Sequence, residues 1–185
     1  MTLEDYLAGV NKTWKEGDGI AEVEHCNFAF IEETGEIAGW YKRLICYGTD
    51  PEEVAPKLKG EFGDLLYYLV KMGELSDCMM RIESRFEATF QMPDVHGCDI
   101  LGVLGVMAKC AQTLTKYTFH SKQFINAYGK LFDHLLVLIV LEGHTLEDIM
   151  YSNLAKLAVR HGDSFKDNQA MPGNRDLRTE DDATS

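Results

Sequence analysis

Proline stands only at positions 51, 56, 93 and 172, which leaves residues 1–50 and 94–171 free of it. A proline removes a backbone donor and clashes with the turn before it, so long proline-free stretches suit extended helices. No segment shows the alternating apolar pattern and tight turn of a β-hairpin. The chain is therefore expected to be all-α, an antiparallel helical bundle.

Punctuation along the chain divides it further. Thr2, with Asp5 three residues on, can cap a first helix reaching about Trp14, and Gly17-Asp18-Gly19 ends it. A second helix is expected from about Ile20 to Tyr47, stopping at Gly48. Asp50-Pro51-Glu52-Glu53 supplies an N-cap, a proline at the first helical position and first-turn acids, so a third helix starts there and runs to about Asp77. Pro56 should kink its start. Residues 78–98 would extend that helix before it breaks near Pro93 and Gly97. Helices at about 99–118 and 121–142 follow, and Thr145-Leu-Glu-Asp148 caps a last one ending at Gly162. Residues 1–165 then form one domain, and the polar segment 166–185 reads as a mobile tail.

An offset of 69 residues lays GEFGDLLYYLV (60–70) over GKLFDHLLVLIV (129–140), and residues 33–36 over Gly102-Val-Leu-Gly105. Identities are few. An internal duplication, with one unit at about 20–77 and a second at about 95–165, fits this pattern; so do two unrelated bundle helices of similar apolar spacing.

The balance of 18 Lys and Arg against 30 Asp and Glu gives a formal charge of -12. Phosphate polymers and anionic membrane surfaces are bound through clustered basic residues, so nucleic acid and membrane are not expected partners. An anionic substrate would need a cation as intermediary. The longest uninterrupted apolar run, Leu135 to Leu141, is far short of a membrane span. The N-terminal MTLEDYLAGVNKTW has no basic flank before an apolar run, so a signal peptide is not expected. Five cysteines without a CxxC pair read as reduced thiols of a cytoplasmic protein.

Two carboxylate pairs stand out. Glu33 and Glu36 lie three apart on one helical face, as do Glu61 and Asp64 on the next helix. The turn near residues 48–50 would fold the helices back on each other and let the pairs face across the interface. Such hard oxygen donors suit Mg²⁺, or alternatively Mn²⁺. Solvated surface acids would show the same spacing, but Glu33 shares its stripe with Cys26, Ala29, Phe30, Ile37 and Trp40. An unpaired acid there is costly to bury, and a metal would neutralise it. On the last helix Asn153, Lys156 and Arg160 share a stripe. They read either as an anion clamp or as basic residues complementing the helix dipole.

Taken together, EETGE (32–36), GEFGD (60–64) and SNLAKLAVR (152–160) resemble the MazG-like all-α nucleoside triphosphate pyrophosphohydrolases, a superfamily that includes the dimeric dUTPases. The family pattern of ExxE, ExxD and a later helix with Asn, Lys and Arg falls here on Glu33, Glu36, Glu61, Asp64, Asn153, Lys156 and Arg160. One departure is clear: about 70 residues separate the ExxD helix from the last helix, where compact members pass almost directly. With Lys130, Asp133, Gly102 and Gly105 at the repeat's ligand positions, the resemblance implies an active first unit followed by a degenerate one that keeps the phosphate clamp.

The resemblance further implies Mg²⁺-dependent hydrolysis of a nucleoside triphosphate to monophosphate and pyrophosphate. Glu33, Glu36, Glu61 and Asp64 would be the catalytic metal ligands. Asn153, Lys156 and Arg160 would hold phosphate, with Trp40, Phe30 and Tyr68 available to pack on the base. A homodimer or homotetramer is implied too. Two rivals stand beside this reading. One is a carboxylate-bridged di-metal bundle, for which Glu22-Val-Glu-His25 supplies one Glu-x-x-His pair but no second is found. The other is a non-catalytic, nucleotide-sensing interaction protein.

Overall fold

In the computed structural model, residues 1–88 and 97–162 are described, and they form seven helices without a strand among them. In chain order these are α1 (Leu3–Thr13), α2 (Gly19–Tyr47), α3 (Pro51–Leu75), α4 (Met79–Ala88), α5 (Ile100–Leu114), α6 (Lys122–Leu141) and α7 (Leu146–His161). The expected tail at 166–185 and the break near Pro93 lie outside the described residues.

Most ends form where the sequence places them. Thr2 and Thr145 each close a capping box, with Asp5 and Asp148 reaching back to the cap. Asp18, Asp50, Asp99 and Ser121 cap α2, α3, α5 and α6 through their side-chain oxygens. Gly48, at φ 66, turns the chain between α2 and α3. Pro56 lies inside α3 and does not end it.

One boundary corrects the sequence reading. α3 stops at Leu75 and is not extended by residues 78–88. Asp77 takes a left-handed conformation, φ 54, while the Cys78 N–H closes on the Gly73 carbonyl at 2.8 Å and the Asp77 N–H on that of Glu74 at 3.3 Å. This is a Schellman turn with aspartate in the place glycine usually takes, so no glycine announced it. α4 then begins as a separate helix.

Helices α2, α3, α6 and α5 close a ring in that order, each packed on the next and α5 back on α2. Phe30 and Ile37 of α2, Leu58, Phe62, Leu65 and Leu69 of α3, and Phe132, Leu135 and Ile139 of α6 are fully buried between them. By length and mean hydropathy α6 could span a membrane, contrary to the impression left by its short uninterrupted run, and 56% of its apolar window is buried in this core. α7 does not join the ring. It packs on α3 together with α1, with a smaller contact to α6.

Candidate functional site

The buried stripe of α2 carries Cys26, Phe30, Glu33 and Ile37, and Glu33 is only 8% exposed. Across the interface α3 presents Glu61 and Asp64, both half-buried. One oxygen from each of Glu33, Glu61 and Asp64 lies within 4.8 Å of the others. No hydrogen-bond donor serves the Glu33 carboxylate among the described residues. Burial pushes its pKa well above the usual carboxylate range, the charges of Asp64, Glu61 and Glu36 add to the rise, and Lys156 opposes it. Glu61 is pushed up to about 7, first by burial and then by Asp64 and Glu36, against the pull of Lys156 and of a hydrogen bond from Trp40.

Glu36 is exposed and stands outside this triad, close enough only for its charge to act on it. Residues three apart on a helix differ by about 60° around the axis, so when Glu33 points inward Glu36 sits at the solvent edge. The cluster thus grades from buried Glu33 through half-buried Glu61 and Asp64 to exposed Glu36, which leaves it reachable from solvent.

The last helix reaches the same place. Asn153 Nδ2 donates to Asp64 Oδ1 at 3.1 Å, and Lys156 Nζ pairs with Asp64 Oδ2 at 2.5 Å. Both oxygens of Asp64 therefore carry a donor from α7, and Asn153 and Lys156 are themselves buried. Arg160, half-buried one turn on, acts electrostatically on the Tyr67 hydroxyl. Trp40 lies half-buried on α2, its Nε1 donating to Glu61 Oε1 at 3.1 Å and its ring 4.3 Å beneath the Arg43 guanidinium. Phe30 is fully buried, a core residue closed to ligands, and Tyr68 packs edge-on against Trp14 and His25.

Two contributors escaped the sequence reading. Tyr6 of α1, fully buried, donates its hydroxyl to Asn153 Oδ1 at 2.8 Å. Burial, with the Asp64 charge second, pushes its pKa well above the ordinary value, so it stays a donor. The signal was present: Leu3, Tyr6 and Val10 form the buried stripe of α1, and a hydroxyl on such a stripe needs a partner. The other is Gly63, against which Asn153 rests so closely that a Cβ there would lie 2.9 Å from the Asn153 Cβ.

Glu22 and His25 are engaged elsewhere: Glu22 accepts from Trp14 Nε1 at 2.7 Å, and His25 stacks on the Trp14 ring. Among the described residues the carboxylate triad is the one group of ligand atoms spaced to share a metal, and it contains no histidine. Its donor set, three carboxylates and no nitrogen or sulfur, fits a hard divalent cation. Compared with models of known protein families, with curated proteins and with solved structures, the chain matches none.

Proposed function

We propose that the protein hydrolyses a nucleoside triphosphate to the monophosphate and pyrophosphate with the help of a divalent cation, Mg²⁺ or Mn²⁺. The observation that carries this reading is the meeting of Asn153 and Lys156 with Asp64 at the mouth of an acidic triad whose deepest member, Glu33, is buried without a donor. A buried carboxylate with no partner is costly, and a cation is the group that relieves it. Lysine and asparagine beside such a cluster also suit an anionic ligand.

In this reading Glu33, Glu61 and Asp64 hold the ion, with Glu36 at the rim. When bound, the ion draws in the polyphosphate and stabilises charge developing at phosphorus. Lys156 and Arg160 bind phosphate oxygens, and Asn153 holds Asp64 in place. One of these carboxylates would accept the proton of the attacking water. Trp40 fixes Glu61 and lines the approach.

A panel of nucleoside triphosphates incubated with Mg²⁺ and assayed for pyrophosphate tests this directly. Glu33→Gln should abolish release while the helical CD signal stays unchanged. Orthophosphate alone from every nucleotide would overturn the proposal. Tight nucleotide binding without turnover would replace it with a sensing role.

A further inference from the structure

Asp64 holds two donors from α7, one neutral and one charged. Asn153 is neutral; Lys156 is a cation 6% exposed, its Nζ paired with Asp64 Oδ2 and its charge acting on both Glu33 and Glu61. Without a metal, Lys156 is the positive charge that compensates this cluster. A divalent ion placed among the same three carboxylates would repel it at close range, in partly buried surroundings where screening is poor. The Asn153 amide suffers no such repulsion, because a carboxylate oxygen has lone pairs enough to keep an N–H donor beside a cation. The head of Lys156 lies over Gly60, 3.9 Å from where a Cβ would stand, so residue 60 sets no side chain against it.

We infer that Lys156 is an internal counter-cation which a bound metal displaces from Asp64, so that metal and polyphosphate binding depend on one another. This rests on the metal-dependent reading above and adds to it a specificity: the site takes the metal–polyphosphate pair and refuses polyphosphate alone. Until a metal arrives, the lysine is spent on Asp64 and the acids repel the anion. Once it arrives, the displaced ammonium is free to meet phosphate. Such coupling is reciprocal, each ligand raising the affinity for the other by the same factor.

The experiment measures Mn²⁺ binding by electron paramagnetic resonance, without nucleotide, for the wild type, Lys156→Met, Lys156→Gln and Asn153→Ala, with helical CD as the check on folding. Removing the competing cation should tighten Mn²⁺ about tenfold in either lysine variant, whereas Asn153→Ala should weaken it. A merely structural role would move all three in the same direction. Inorganic tripolyphosphate should bind the wild type in Mn²⁺ but not in chelator, and Lys156→Met should bind it only weakly in Mn²⁺ and not in chelator. Unchanged or weaker Mn²⁺ binding in folded lysine variants, with the wild type binding normally, overturns the inference and leaves the metal reading standing. Tripolyphosphate binding to the wild type in chelator overturns it too. No Mn²⁺ binding by any of the proteins overturns the metal reading itself, and the inference with it.

Discussion

Gly63 of α3 and Asn153 of α7 touch so closely that the missing side chain of one is the seat of the other. Gly63→Ala would set a methyl 3.0 Å from Asn153 Nδ2, and backbone-anchored atoms on both sides cannot retreat cheaply. The expected result is a loss of about 1–3 kcal/mol in urea unfolding. Turnover should fall about 10–100-fold as Asn153 is pushed from Asp64. Wild-type activity in the variant would show that this contact does not position the site.

Tyr6→Phe keeps the ring and removes the hydroxyl, leaving Asn153 Oδ1 buried and unpaired. A cost of about 1–2 kcal/mol is expected in the denaturation midpoint. The amide then loses the restraint that points its Nδ2 at Asp64, so turnover at limiting Mg²⁺ should suffer more than turnover at saturating Mg²⁺. Equal losses at both concentrations would reduce Tyr6 to a packing role.

Acids with raised pKa values make the metal-free protein sensitive to alkali. A carboxyl whose folded-state value exceeds its unfolded one binds more protons when folded, so stability falls as pH rises between the two. That interval opens near the ordinary glutamate value of 4.5 and runs through about 7 for Glu61, with Glu33 shifted in the same direction. In chelator the thermal midpoint should drop by a few degrees, about 1–2 kcal/mol, between pH 5 and pH 8. Glu61→Gln should flatten the slope. Metals bind ionised carboxylates, so stabilisation by Mg²⁺ should grow over the same pH interval. A midpoint that rises from pH 5 to pH 8 without metal would contradict the burial of these groups.

Asp77 carries the left-handed turn that parts α3 from α4. A β-branched residue tolerates that conformation poorly, so Asp77→Val should destabilise by about 1–2 kcal/mol while Asp77→Gly is accommodated. Chemical denaturation of the pair decides it. Equal stability of the two variants would mean the turn relaxes.

What the sequence disclosed and what it withheld follow from the range of the interactions. Thr145 with Asp148, and Asp50 with Pro51, are local signals, and the helices they begin stand where they point. Asp77 ends a helix with a residue that rarely does so, and α4 was accordingly read as a continuation. The i, i+3 spacing put Glu33 and Glu36 on one face, but only the rotation of α2 against α3 decides which of them turns inward. Tyr6 was legible as a buried hydroxyl in want of a partner; the partner's identity, 147 residues away, was not.

That separation has a consequence in time. The pair Asn153–Asp64 spans 89 residues and Tyr6–Asn153 spans 147, whereas the α2–α3 hairpin closes over a three-residue turn. Contacts between distant stretches of chain bear the larger closure cost and slow the steps that make them. On a ribosome, the hairpin can assemble while α7 is still unsynthesised. The carboxylates are then gathered first and receive their asparagine and lysine last, so a partly made chain holds the acids of the site without the helix that completes it.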